Sequence, residues 1–230
     1  MPAMSRLAPI GKGYRRVLLG GAVVCVAAAL IGEFRFGSSL YLYTDLKNES
    51  GAFEGSMTVV SAFLLVVAAV YSFRCSEVLR SRDARTANGF AGFAALLMFL
   101  AFDELAMFHE WVAEKLEAHR VWKPLGIDQD VYVFAAYGVI AAWTLYRMRA
   151  PLLRHRAAAT LLVGMVAFAV GSEAVDFVPW EPLSDLAKAW LGPLEEGLKT
   201  MATLCGALYG HALLDAIERD QRAVPDTTVN

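Results

Sequence analysis

Residues 99–114 read FLAFDELAMFHEWVAE, an apolar run that leads into Asp103 and Glu104, with His109 and Glu110 following within two helical turns. Acid and imidazole groups at membrane depth are costly, so where they persist the default reading is a functional site. Further acids stand at matching ends of two later apolar segments, Glu173 with Asp176 and then Glu195 with Glu196.

The surrounding composition puts that stretch in a bilayer. The 230-residue chain is 57% hydrophobic and 19% charged, with a mean hydropathy of +0.45. Soluble domains run near about 45–50% apolar and about 25% charged. The net charge of −2 says little, because charge is sorted by position. No basic face interleaved with aromatics and no zinc-finger spacing occurs, which excludes a nucleic-acid partner. Cys25, Cys75 and Cys205 are odd in number and far apart, and read as packing residues.

Six apolar runs are expected to span as helices: Val17–Ile31, Met57–Phe73, Gly89–Trp111, Val131–Met148, Arg156–Phe177 and Leu194–Ile217. Each approaches the ~20 residues a bilayer core requires, and none alternates with the period of a barrel strand. The expected fold class is therefore an all-α polytopic membrane protein, one six-helix transmembrane bundle over residues 17–217. Residues 1–16 form a basic leader and 218–230 a short tail. The second connection carries Arg74, Arg80, Arg82 and Arg85, the fourth Arg147, Arg149, Arg154 and Arg156, and the tail Arg219 and Arg222. Positive-inside then places both termini in the cytoplasm, of a cell membrane that is the inner membrane in a bacterial host. Tyr41, Tyr43, Trp111, Trp122, Tyr132, Trp180 and Trp190 mark the outer boundary as an interfacial belt. The segment 179–193, PWEPLSDLAKAWLGP, reads as a helix lying in the outer interface. Glycines such as Gly20, Gly21, Gly89, Gly92, Gly206 and Gly210 are expected where helices approach closely.

On an unbroken third helix, Asp103 and Glu110 differ by only about 20° and share a face. Glu104 then lies about 100° to one side and His109 about 120° to the other. The expectation is an outer-leaflet pocket in which Asp103, Glu110, Glu173, Asp176 and Glu196 hold a divalent metal ion, zinc, iron or manganese. Glu104 and His109 would serve catalysis there, with His109 at the pocket's edge. Carboxylates and an imidazole on facing helices are the ligand set such ions take in helical bundles. The matching activity is hydrolysis or oxidation of a lipid-like substrate entering from membrane lipid. Two other classes fit the same residues: a proton- or cation-coupled transporter, and a non-catalytic membrane scaffold or complex subunit.

Each group also has a plainer reading. Glu195 and Glu196 follow Gly192-Pro193 and would sit in a first helical turn, where acids suit the macrodipole. Lys199 pairs with either by spacing alone. His211 lies roughly 23 Å along the helix from Glu196, too far to join them, and reads as a packed, hydrogen-bonded histidine or a gating group. His119 and His155 read as surface loop residues. No GxSxG, Walker, Rossmann, HExxH or EF-hand pattern occurs, since Ala113 stands where a second HExxH histidine belongs.

At DELAMFHE, Glu173 and LEEGLKTM the chain resembles a broad set of uncharacterised multipass bacterial membrane proteins, which carry a DExxxxHE helix and an acid pair opening a late helix. The resemblance covers the third to sixth spans and brings no activity with it. In that set the position matching Lys199 is often acidic, so lysine here replaces a metal ligand with a competing charge. A looser likeness to membrane hydrolases of the alkaline ceramidase type implies a three-histidine zinc set, of which this chain offers only His109.

Overall fold

The computed structural model describes residues 11–36, 56–119, 130–176, 178 and 184–222. Among them the structure is all helical: α1 (Lys12–Ile31, extended by a π-helical turn at Gly32–Phe36), α2 (Ser56–Leu79), α3 (Ala84–Ala106), α4 (Phe108–Ala118), α5 (Asp130–Arg154), α6 (Arg156–Asp176) and α7 (Asp185–Arg222). Four helices, α1, α2, α3 and α6, are long and apolar enough to cross a membrane. α5 and α7 have the length, at 25 and 38 residues, but their polar residues dilute the apolar run. The expected outer loop at residues 37–55, the belt positions Tyr41, Tyr43, Trp122 and Trp180, and both chain ends lie outside the described residues.

Side-chain contacts fix the direction of each helix. α1 runs antiparallel to α7, since Tyr14 bonds His211 at 3.0 Å and Cys25 meets the Gly197 carbonyl at 3.9 Å. α2 runs parallel to α7, through Ser61 with Thr200 at 3.0 Å and Gln221 donating to the Val78 carbonyl at 2.9 Å. α3 and α5 are antiparallel, with Gly89 against Arg147 and Gly92 against Thr144. α6 and α7 are too, from Gly164 beside Cys205 to Gly171 beside Leu198. One end of the bundle thus gathers the start of α1, the α2–α3 turn, the α5–α6 junction and the end of α7. The arginines expected to share a side do so.

The core lies where α2, α3 and α7 meet, on Phe90, Phe93, Leu97, Tyr209 and Leu213, with Met148 of α5 and Leu161 of α6 closing it. α1 packs chiefly on α7, and its Leu19, Val23 and Val26 face outward, as do Val163, Val166 and Val170 of α6. Such apolar faces suit hydrocarbon and would be costly in water. Small residues set the spacing at particular points. A Cβ on Gly89 would fall 2.8 Å from the Arg147 Cβ, and one on Gly210 2.8 Å from the Tyr71 Cβ. Gly20, expected at an interface, meets nothing within 4 Å.

Four expectations are corrected. The third helix does not run through to Trp111. It stops at Ala106, and Met107 takes a left-handed conformation (φ 53°, ψ 41°) before α4 starts. The supposed interface helix before Pro193 is continuous with α7, whose helical backbone runs through Pro193 despite the hydrogen bond that proline removes. Glu195 and Glu196 therefore lie inside a helix and not in its first turn. At the other end, α5 continues through Pro151 to Arg154, so Arg147, Arg149 and Arg154 are helical and His155 alone separates α5 from α6.

Candidate functional site

The break at Met107 builds the site. Leaving α3, the chain turns back so that the first amides of α4 point at the Asp103 side chain. Asp103 Oδ1 accepts the backbone N–H of His109 at 2.8 Å, and Oδ2 lies 3.1 Å from His109 Nδ1. The carboxylate caps a helix start whose amides lack intrahelical partners. Only 5% of the Asp103 side chain is exposed, against 23% for His109. On the other face of the imidazole stands Phe134 of α5, with ring centres 5.2 Å apart. Tyr137, one turn on, packs against Phe134 and Phe99, and its phenol interacts electrostatically with Asp103. Phe108 and Trp111 stack beside them at 5.8 Å.

His109 stands beyond the end of the α3 span, and three influences set its proton affinity. Burial disfavours the imidazolium, but the Asp103 hydrogen bond, the Asp103 charge and the Glu110 charge outweigh it and hold the pKa above the ordinary 6.5. Lys199 acts in the opposite direction, which brings α7 into the same electrostatic neighbourhood.

On α7, Lys199 Nζ lies 2.8 Å from both Glu195 Oε1 and Glu196 Oε1. The ammonium sits between two carboxylates, the arrangement that spacings of four and three allow on a helix. Directly below it, Thr200 donates to the Glu196 carbonyl at 3.0 Å and contacts Ser61 of α2. α6 is tied to the same level by the buried Ser172, which donates to the Glu195 carbonyl at 3.2 Å. Its neighbour Glu173 is therefore at the height of Glu195, as its depth in the sequence implied.

The expected residues thus divide. Asp103 engages His109, not through a shared helical face but because the helix breaks between them. With α3 ending at Ala106, the shared face proposed for Asp103 and Glu110 loses its premise, and His109 moves from the edge of the site to its centre. Glu104, Glu110 and Glu173 are half-buried and each has an interaction partner. The side chain of Asp176 lies outside the described residues. Among the described residues no three His, Cys, Asp or Glu side chains gather closely enough to hold a metal ion. The nearest approaches to a donor set are the Asp103–His109 pair and the Glu195–Glu196 pair, the second already holding a cation of the protein's own.

Three features depart from the sequence-based expectation. Tyr137 and Phe134 enter the site only through the α3–α5 register, for which the sequence carries no marker. His155 is not an exposed loop residue. Its side chain is 14% exposed, and Nε2 lies 3.6 Å from Asp220. Trp143 and Tyr146, with Arg147 and Arg149 over their rings at 5.2 and 4.1 Å, form aromatic anchors at the arginine-rich end. Spacings of four and three in the second half of α5 mark these two pairs in the sequence.

The family model described as Domain of unknown function (DUF8692) matches residues 18–213, and the chain belongs to that family. No curated protein and no solved structure matches it.

Proposed function

We propose that this chain is a six-span membrane protein, with both termini cytoplasmic, whose outer face handles protons as part of proton-coupled transport. The observation that carries the reading is Lys199, held between Glu195 and Glu196 at 2.8 Å from each. A metal-binding site would place its ion among such carboxylates. Here a fixed ammonium offsets part of their charge instead, and leaves an acid-rich network that favours positive charge. Beside it, the Asp103–His109 pair supplies a proton acceptor whose affinity the Asp103 carboxylate raises above that of an ordinary imidazole. Buried hydroxyls continue inward along the α2–α7 seam at Ser61, Thr200 and Thr203, and resume at Ser72, Ser76 and Tyr209, whose oxygens have no protein partner. Buried polar atoms of that kind are satisfied by water. Between the two sets the seam is apolar, lined by the buried Leu65, Ala68 and Cys205, which suits a gate better than an open pore.

The test is proton flux into liposomes holding the purified chain and a pH-sensitive dye, under an imposed pH gradient and membrane potential. Wild type should acidify the lumen faster than empty liposomes, and Asp103→Asn and Lys199→Met should slow it at least about tenfold. Wild-type flux equal to that of empty liposomes overturns the reading.

One observation favours a second reading, a metal-dependent enzyme acting on a lipid-like substrate. An apolar groove of about 450 Å³ runs between α1, α6 and α7, lined by Phe168, Trp190, Leu194, Leu198 and Met201, and reaches the level of Lys199. It would admit an acyl chain. Elemental analysis of protein purified without chelators, beside an Asp103→Ala/Glu173→Ala double variant, decides it: stoichiometric metal lost in the variant supports the enzyme.

A further inference from the structure

At the opposite end of the bundle, four helix ends enclose a cavity of about 250 Å³: the end of α2, the start of α3, the α5–α6 junction and the end of α7. The ionisable side chains in its lining are Arg82, Asp83, Arg154, His155 and Asp220, over a floor that includes Leu79 and Ile217. We propose that this cavity binds the phosphate of an anionic phospholipid headgroup. The inference uses none of the outer-face residues and rests on the proposed function only for the cytoplasmic placement of this end.

Most acids at this end are already engaged. Asp83 is committed to α3, where it accepts the Thr86 N–H at 3.0 Å and the Thr86 hydroxyl at 2.6 Å. Glu77, Asp215 and Glu218 each pair with an arginine on their own helix, Arg74, Arg219 and Arg222. Arg82 has no carboxylate within ion-pair distance among the described residues. Asp220 lies between Arg154 Nη1 and His155 Nε2, 3.6 Å from each. That is beyond the 2.7–3.2 Å of a formed hydrogen bond, so its partners keep donor capacity. Arg82, Arg154 and His155 therefore offer two guanidinium groups and an imidazole N–H around one hollow, the donors that recognise phosphate oxygens.

Position selects lipid as the source of that phosphate. The cavity opens where the spans end, at headgroup level. Trp143 and Tyr146, both more than half exposed, sit on α5 one to two turns before it, as interfacial anchors do. Acyl chains would leave along the outward apolar faces of the helices. Basic pockets between helix ends on the cytoplasmic side bind anionic headgroups on these terms.

The test uses the full chain in nanodiscs of phosphatidylcholine, with and without phosphatidylglycerol, read by lipid retention in native mass spectrometry and by Tm. Wild type should retain phosphatidylglycerol and gain Tm with it. The Arg82→Gln/Arg154→Gln variant should lose roughly tenfold in retention, while Arg149→Gln, on the same end but outside the cavity, should not. Hydrogen exchange on the wild type guards against a misfolded variant: phosphatidylglycerol should protect residues 79–86 and 150–156. Equal retention by the double variant, or no protection of those segments, overturns the proposal. So does stabilisation by inorganic phosphate that phosphatidylglycerol fails to give, which would assign the cavity to a free anion.

Discussion

Asp103 serves two purposes through one carboxylate, capping α4 with Oδ1 and orienting His109 with Oδ2, and substitutions separate them. Asp103→Ala removes both and should cost about 1–2 kcal/mol, the loss of a helix cap, measured by denaturation in detergent. Asp103→Asn keeps an acceptor for the amide but removes the charge. His109 would then be governed by burial, and its pKa should drop from above 6.5 to below it, read by NMR titration of labelled imidazoles. A raised folded-state pKa means that the stability His109 contributes is full below 6.5 and is lost as pH rises through its folded value. His155 should show the opposite sign. Burial, with smaller contributions from Arg154 and Arg219, outweighs Asp220 and holds its pKa below 6.5. Its contribution is present above 6.5 and is lost as pH falls toward the folded value. Two histidines titrating on opposite sides of 6.5 in one spectrum is the expected result. If they coincide, the pairing seen at one of them is wrong. The importance of Asp103 was legible from its apolar flanks alone. Its partner was not, because a left-handed methionine has no sequence signature and constant helical rotation carries His109 away from it.

For the helices, type and approximate length were readable from hydropathy, and ends were misread wherever proline was taken as a boundary. Pro151 and Pro193 lie within α5 and α7. The small-residue expectation held selectively: neighbours at Gly89 and Gly210 approach to distances no Cβ tolerates, while Gly20 faces open space. Gly89→Ala must push α3 away from the Arg147 Cβ, which is too near the backbone to swing aside. A cost of about 1–3 kcal/mol is expected. Gly20→Ala meets nothing and should be neutral or stabilise α1 by up to about 1 kcal/mol. Paired unfolding curves check both, and equal effects at the two sites would mean that α3 and α5 do not approach as described. Met107→Gly tests the break itself. A left-handed conformation costs an ordinary residue about 1–2 kcal/mol that glycine avoids, so the variant should gain up to about that much. A loss would mean that the Met107 side chain contributes more by packing than its backbone costs.

The bundle's order follows from alternation: each helix among α1, α2, α3, α5, α6 and α7 reverses the one before, as the contacts of α1, α2 and α6 with α7, of α3 with α5, and the short α2–α3 turn together fix. The sequence could anticipate this because arginine is sorted into alternate connections, a pattern that survives errors of several residues at helix ends. It could not anticipate the short α4, whose polar sequence carries no hydropathy signal, nor which helices form the centre, because the peripheral α1 and α6 are themselves apolar enough to span. What joins the fold to a membrane is the direction of that alternation, and the two ends predict opposite chemistry. Buried Cys25, Cys75 and Cys205 should stay unreactive toward a charged maleimide, so single cysteines can be added to the native background. Glu33→Cys, on the exposed turn after α1, and Glu117→Cys, on α4, should label from outside intact cells. Ser81→Cys, in the α2–α3 turn beside the arginines, should label only after permeabilisation. The reverse pattern would keep the bundle and invert its placement, putting the Asp103–His109 pair inside the cell and the arginine-lined cavity outside. Labelling of Glu33→Cys and Ser81→Cys from the same side would be more damaging. Among the described residues α2 is the helix between these two turns, and its 24 residues, about 36 Å at 1.5 Å per residue, would then not be what crosses the membrane between them.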